Sequence, residues 1–249
     1  MKNVNPTPIE SKALTKNFGN YCAVDSLSLT INAGELFGFL GPNGAGKTTT
    51  LQMLCGQIQP TSGTARVMGI DTASDPIAVK SAVGIVPEIE YPPSFLTVEE
   101  YLHFVASVRG LPESDSADMW IEFFGLEDRR DTLCMSLSKG QKKKVTLSAA
   151  LLHKPGLLFM DEPFLDLDPL IQVKLRRWLL DYVKGGGTVF LCTHILELAE
   201  KLCTRVGIID RGRLAAFGSI SELKNGADES LEQVFRRLVL GQDGHDVEP

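Results

Sequence analysis

No stretch of the sequence approaches the ~18 consecutive apolar residues that a membrane-spanning helix needs, so no such span is expected in it. The opening residues, MKNVNPTPIE, contain no apolar segment, which argues against a secretory signal. Cysteine is sparse and odd in number: the five stand at 22, 55, 134, 192 and 203, with no CxxC pair and no Cys/His cluster at metal spacing. That excludes a disulfide framework and predicts free, buried thiols in a reducing compartment. Positive charge is in deficit, with 25 Lys and Arg against 31 Asp and Glu, a net charge of -6 and a pI near 5.3. This balance argues against a general polyanion binder, because affinity for a phosphate backbone comes mostly from Lys and Arg, and no nucleic acid partner is expected. A local anion site stays open. There is no internal repeat, long linker or low-complexity tract. What is present is ordinary globular material: 249 residues, 43% hydrophobic and 22% charged, enough for one large domain or two small ones.

Residues 1–8, with two prolines, read as a loose lead-in, and the last nine (GQDGHDVEP) as a frayed end. Residues 9–31 read as a hairpin, since Leu27, Leu29 and Ile31 alternate with Ser28 and Thr30. Residues 35–40 (ELFGFL) have the continuous apolar pattern of a buried central strand. A helix is predicted over 47–55, and short strands at 63–68 and 83–86. From about 94 to 154 the pattern turns helical. Val98, Tyr101, Leu102, Val105 and Val108 recur at three- and four-residue spacing, and a second apolar helix carries Trp120, Ile121, Phe123, Phe124 and Leu126. Pro87, Pro92 and Pro93 fence this region off, and it is read as an inserted helical subdomain. Strands follow at 157–160, 189–192 and 206–209, with a helix between the first two, and an amphipathic helix is predicted near 229–240. Strands alternating with helices predict a parallel sheet with crossovers.

Gly41-Pro42-Asn43-Gly44-Ala45-Gly46-Lys47-Thr48 fits the pattern G-x-x-x-x-G-K-[ST], between a predicted buried strand and a predicted helix. Glycines let successive N–H groups turn inward on phosphate oxygens, and the helix N-terminus adds partial positive charge. Lys47 reaches β- and γ-phosphates and the Thr48 hydroxyl is a Mg²⁺ ligand in this pattern. Residues 157–162, Leu-Leu-Phe-Met-Asp161-Glu162, form an apolar strand ending in two carboxylates. An acidic pair at such a strand end lies where open α/β sheets bind ligands. Asp161 is suited to hold Mg²⁺ through water and Glu162 to act as general base on an attacking water. Neither NKxD nor DxxG occurs, so a guanine-specific GTPase lacks its usual features.

Between these motifs lies Leu137-Ser138-Lys139-Gly140-Gln141, similar to the signature LSGGQ of ATP-binding cassettes. Leu165-Asp166-Leu167-Asp168-Pro169 resembles the D-loop, Thr193-His194 the switch histidine, and Phe18-Gly19 the aromatic A-loop. In order and spacing the chain resembles, from about 9 to 240, the nucleotide-binding subunit of an ATP-binding cassette (ABC) transporter. THILELAEKLC (193–203), IIDRGRL (208–214) and LEQVFRRL (231–238) resemble the export-type subfamily, whose permeases are separate chains.

The resemblance implies an α/β fold with a mixed, mainly parallel P-loop core, an antiparallel β subdomain and an inserted helical subdomain. It implies an ATPase working with Mg²⁺ in an ATP-sandwich dimer and driving a transmembrane permease. The catalytic residues implied are Glu162, His194 and Lys47. ATP would be bound by Phe18, Gly41, Pro42, Asn43, Gly44, Ala45, Gly46, Lys47, Thr48 and Thr49, and in trans by Ser138, Gly140, Gln141 and Asp168. Mg²⁺ would be held by Thr48, Asp161 and Glu88. Phe18 would stack on adenine, with Tyr21 second for that role, and His194 would hydrogen-bond the γ-phosphate. The partners implied are a permease, gripped near 88–110, and a second nucleotide-binding subunit, identical or paralogous. The location implied is the cytoplasmic face of the membrane.

Three departures from the family pattern stand out, the third spanning two adjacent residues. Glu88 replaces the usual Gln, Lys139 replaces the first signature glycine, and Phe164 and Leu165 are unusually apolar. The run Lys142-Lys143-Lys144 is read as a solvated helix face, and His103, His153 and His245 as structural. Two other classes stand beside the transporter reading. One is a soluble ABC ATPase serving cluster assembly, translation or DNA repair; translation-type members usually carry two cassettes and repair-type members a long coiled-coil insertion, whereas this sequence shows one cassette and no such insertion. A non-hydrolytic scaffold is at odds with intact Lys47, Asp161, Glu162 and His194.

Overall fold

The computed structural model describes residues 7–89, 92–112, 116–226 and 228–240. The lead-in at 1–6, the last nine residues and His245 lie outside them. Strands β1 (Ile9–Phe18) and β2 (Tyr21–Ile31) form the expected hairpin, with Ile9 opposite Ile31 and Phe18 opposite Tyr21. Leu27, Leu29 and Ile31 are buried, as their two-residue period requires. β3 (Leu36–Leu40) is buried at every residue and runs through the glycine-rich loop into α1 (Lys47–Leu54). β4 (Ser62–Val67) and β5 (Ile70–Asp71) return to the hairpin, completing a four-stranded antiparallel sheet of order β2-β1-β4-β5.

Helix α2 (Pro76–Ala82), capped by the Asp75 carboxylate, leads into the short strand β6 (Gly84–Val86). Three helices follow: α3 (Val98–Val108), α4 (Ser116–Phe124) and α5 (Lys139–Leu151). Both α3 and α5 start on complete capping boxes, Thr97/Glu100 and Ser138/Gln141. The chain then re-enters the sheet as β7 (Leu157–Asp161) and continues through α6 (Pro169–Lys184), β8 (Thr188–Thr193), α7 (Leu196–Leu202), β9 (Arg205–Asp210) and β10 (Arg213–Ser219). The order in this second sheet is β10-β9-β3-β8-β7-β6, parallel except for the β9–β10 hairpin. β10 was not foreseen: its residues, RLAAFGS, are mostly half-buried and show no apolar alternation. Near the C-terminus α8 (Ile220–Leu223) and α9 (Leu231–Phe235) are short, and Arg236–Leu240 widens into a π turn, so the helix predicted near 229–240 is not one continuous α-helix.

Alternate residues of the parallel strands enter two cores. Leu36, Leu40, Leu158, Met160, Val189 and Leu191 pack with α3 to α7. Phe37, Phe39, Phe159 and Phe190 pack with α1 and the antiparallel sheet. Phe190, at the centre of the second core, lies 5.3–5.6 Å, centroid to centroid, from Phe37, Phe39 and Phe159. Helix α4 is joined to α6 by Trp120, which meets Trp178 edge-on at 5.2 Å. Of the cysteines, 55, 134, 192 and 203 are buried as expected. Cys22 is exposed, near the start of β2, the outer strand of its sheet.

Phe190→Ala removes a ring shared by three strands. It is expected to lower unfolding stability by about 3–5 kcal/mol, read as a fall in urea midpoint at unchanged m-value.

Candidate nucleotide-binding site

Parallel register brings four strand ends to one edge of the sheet. Leu40 pairs with Thr193, Asp161 with Cys192 and Met160 with Val86. The residues that follow, namely the glycine-rich loop after β3, His194, Glu162 and Glu88, therefore leave the sheet side by side. This is the carboxyl edge, where open α/β sheets bind ligands.

The loop is held from outside as well as by its own turns. Gly46 has φ 108, a conformation L side chains rarely adopt, and a Cβ there would stand 2.5 Å from the Ala23 carbonyl oxygen. The Ala45 carbonyl accepts from Gly212 N at 2.9 Å, so the β9–β10 turn braces the loop. Helix α1 then begins, and by helix geometry the N–H groups of Lys47, Thr48 and Thr49 have no intrahelical acceptor. Lys47 is buried, with Nζ donating to the carbonyls of Gly41 (2.7 Å) and Pro42 (3.1 Å).

The Thr48 hydroxyl donates to Asp161 Oδ2 at 2.7 Å. Asp161 is 1% exposed and its Oδ1 has no hydrogen-bond partner. Burial, and secondarily the negative charges of Glu88 and Glu162, push its carboxyl up to about 6, although the Thr48 hydrogen bond and Lys47 act the other way. An orphaned, buried carboxylate oxygen beside a hydroxyl is a hard oxygen donor set awaiting a cation, and it fits Mg²⁺. Among the described residues no three His, Cys, Asp or Glu side chains cluster at metal spacing.

Glu162 takes the left-handed region, φ 45, unusual for a non-glycine residue. Its Oε1 accepts from the His194 backbone N–H (2.8 Å) and lies 2.7 Å from His194 Nδ1, while its Oε2 accepts from the Thr193 hydroxyl (2.9 Å). The structure thus joins Glu162 to His194 directly. It also adds Thr193, which sequence reasoning passed over because only the histidine had an evident chemical role.

A cavity of about 400 Å³ is lined by Phe18, Tyr21, Asn43, Gly44, Gly46, Lys47, Thr48, Thr49, Glu88, Asp161 and Glu162, with Ala23. Both candidate aromatics are therefore at its mouth. Phe18 has the Lys16 ammonium 5.1 Å from its centroid, and the Tyr21 hydroxyl donates to Gly44 O at 3.4 Å. Pro42 and Ala45 line a neighbouring hollow with Asp210 and Arg211.

Ser138, Gly140, Gln141 and Asp168 do not line this cavity. Ser138 and Gln141 cap each other at the start of α5. Gly140 packs under the D-loop, where a Cβ would meet the Asp166 carbonyl oxygen at 2.4 Å. Asp168 caps α6 through Ile171 N and pairs with Lys144 at 2.9 Å, and that ammonium holds its carboxyl below the usual range. Phe164 turns inward and is buried in the helix-side core, which accounts for the apolar residue at that departure. The reading of Lys142-Lys143-Lys144 as a solvated face is corrected. Lys143 is fully buried, with Nζ donating to the carbonyls of Pro87 (3.2 Å) and Glu88 (3.0 Å), and Lys144 is taken up by Asp168. A charge run reads as solvated from composition, but helix geometry sends adjacent residues to different sides.

A glycine-rich loop turning into a helix N-terminus, opposite a strand-end Asp-Glu pair on a mixed α/β sheet, defines a P-loop nucleotide-binding cassette. The sequence profile described as ABC transporter matches residues 24–165. The chain is 36% identical over 246 residues to "Probable multidrug ABC transporter ATP-binding protein YbhF" of Escherichia coli (strain K12), a match covering 95% of this chain and 42% of that protein. It thus spans less than half of that relative's length. To "Daunorubicin/doxorubicin resistance ATP-binding protein DrrA" of Streptomyces peucetius it is 37% identical over 227 residues, 90% of this chain and 69% of that one. A solved structure titled "Structure of ATP binding subunit of ABC transporter" superposes with a TM-score of 0.88 at 30% identity, covering 93% of this chain and 99% of that chain. The chain belongs to the ABC transporter family, among its ATP-binding subunits.

The raised Asp161 carboxyl has a consequence for stability. The folded protein holds this proton more tightly than the unfolded chain, so stability falls as pH rises from the unfolded value near 3.8 through about 6. Asp161→Asn is neutral throughout. In chelator and without nucleotide its stability advantage over the native protein is expected to be about 1–2 kcal/mol larger at pH 8 than at pH 5. Urea unfolding at the two pH values measures this, and an equal gap at both would contradict it.

Proposed function

We propose that this chain binds and hydrolyses ATP with Mg²⁺, as one half of an ATP-sandwich dimer that powers a separate membrane permease, for export. The observation that carries the reading is the buried Thr48–Asp161 pair with its orphaned oxygen, beside Glu162 oriented by Thr193 and His194. In this reading residues 9–240 form a single cassette, with 94–154 as its helical subdomain. The loop N–H groups and Lys47 take the triphosphate, and Lys47 exchanges the Gly41 and Pro42 carbonyls for phosphate oxygens. Thr48 and Asp161 hold Mg²⁺, with Glu88 at the same cavity wall. Bound there, Mg²⁺ would neutralise charge on the triphosphate. The aromatic rings of Phe18 and Tyr21 offer the adenine a stacking face.

Glu162 receives the proton of the water that attacks the γ-phosphate in line, because its carboxylate follows Asp161 directly at the strand end and lines the same cavity. Its two oxygens are held by Thr193 and His194, so the base is oriented before substrate arrives. Ser138, Gly140, Gln141 and Asp168 lie away from the cavity of their own chain and are assigned to the partner's nucleotide. Ser138 opens α5, and a helix N-terminus favours an anion.

The permease is assigned to an apolar groove of about 640 Å³ between the sheet and α3, lined by Ile85, Pro87, Ile89, Phe104, Val105 and Val108 among others. Ile89, Phe104 and Val108 are exposed there, more apolar surface than a solvated helix face usually shows. Among the described residues no helix is long and apolar enough to cross a membrane, and attachment to the cytoplasmic face falls to the permease. Export is proposed from the drug-resistance name of a relative.

Glu162→Gln is expected to bind ATP, to lose hydrolysis by about 100-fold or more and to run as a dimer on gel filtration with ATP. Ser138→Arg added to it should return the protein to monomer. Normal turnover by Glu162→Gln would remove the assignment. Separately, Phe104→Glu is expected to leave ATPase activity of the isolated subunit within about two-fold of native while abolishing co-purification with the permease. Retained co-purification would place the permease elsewhere.

A further inference from the structure

Lys143 is the one of the three consecutive lysines with no exposure at all, 0%. A buried ammonium is unfavourable unless it is paired or hydrogen-bonded, so its partners carry information. Its Nζ donates to Pro87 O at 3.2 Å and Glu88 O at 3.0 Å. Those carbonyls come directly after β6, a strand of three residues at the sheet edge, paired among the described residues with β7 alone. The sheet therefore gives the backbone beyond Val86 no ladder of its own.

The other end of β6 is held in a similar way. Arg109, at the end of α3, donates to the carbonyls of Lys80 (3.0 Å), Ser81 (2.9 Å) and Val83 (3.5 Å), and His153 Nε2 lies 3.2 Å from Val83 O. Basic side chains from the helical region thus clasp the strand at both ends. Lys143 grips the residue that lines the nucleotide cavity beside Thr48 and Asp161. Lys143 also belongs to α5, the helix that Ser138 and Gln141 open.

We propose that Lys143 is a positioning residue that fixes Glu88 at the Mg²⁺ end of the nucleotide cavity and ties that end to the signature helix. The proposal rests on the Mg²⁺-ATP reading above. Lys143 does not line the nucleotide cavity. It acts on the backbone of Glu88, as groups behind a metal ligand generally orient that ligand. Removal of the ammonium frees the Pro87-Glu88 turn, and the carboxylate loses its fixed place.

The test is binding of a ribose-labelled fluorescent ATP analogue, in chelator and across a Mg²⁺ titration, with folding checked by thermal melting. Lys143→Met is expected to need about ten-fold more Mg²⁺ for the half-maximal Mg²⁺-dependent signal, and Lys143→Arg to restore it to within about two-fold of native. Affinity in chelator should stay unchanged in both. Glu88→Ala should shift the Mg²⁺ curve by itself, and Lys143→Met in that background should add nothing, because the two act in series. An unmoved Mg²⁺ curve for Lys143→Met overturns the proposal, and so does a shift that persists in the Glu88→Ala background. If Lys143→Met fails to fold, Lys143→Gln is measured by the same criteria. Failure of the underlying reading looks different: the native protein would then show no Mg²⁺-dependent binding at all.

Discussion

The parallel register of four buried strands is the constraint on which the site depends. β3, β8, β7 and β6 are neighbours in that order and their ends are level, with Leu40 beside Thr193, Cys192 beside Asp161 and Met160 beside Val86. The chemistry-bearing residues come from separate stretches of chain, Thr48 and Asp161 being 113 residues apart. They meet because each is the first polar position after an apolar strand. A one-residue slip of β7 would move Asp161 off Thr48 and turn its apolar residues to the opposite faces. The phenylalanines of the second core resist such a slip, since Phe37, Phe39, Phe159 and Phe190 pack ring against ring across three strands.

On that frame the protein places groups that oppose folding. Asp161 is buried with one oxygen unpartnered, and Glu162 has a backbone conformation that L residues avoid. Strained backbone and buried polar groups each reduce stability by ~1–3 kcal/mol, and they persist because the surrounding packing over-determines them. Their concentration at one edge of the sheet, while the strand interiors are uniformly apolar, sets this edge apart from the rest of the molecule.

The helical region is coupled to this edge by a few polar contacts as well as by packing. Arg109, His153 and Lys143 hold the backbone on either side of β6, and Gly140 lets the start of α5 lie against the Asp166 carbonyl. The Trp120–Trp178 contact joins α4 to α6, the helix that Asp168 caps. In the proposed dimer, a nucleotide bound at the start of α5 would bear on Glu88 through Lys143 and on Asp168 through Lys144. Two of the three lysines in one run thus connect the signature helix to Glu88, which precedes it in the chain, and to the D-loop, which follows it.

The glycine-rich loop, the acidic strand end, the buried strands and the inserted helices were all legible in the sequence, because each is a local pattern. A glycine spacing specifies a turn, an apolar run a buried strand, and a three- to four-residue apolar period a helix face. β10 was not legible, since a half-buried edge strand without alternation leaves no periodic trace, although its turn braces Ala45. Nor could the sequence separate Lys143 from its neighbours. Three adjacent lysines look alike until helix geometry and the neighbouring chain decide which one is buried. The same holds for Thr193, whose role comes from lying opposite Glu162 across two parallel strands. The sequence by itself determined which residues could do chemistry and which elements carry them. Only the tertiary structure decided which of those residues meet, because contacts between stretches distant in the chain follow from strand order, register and burial.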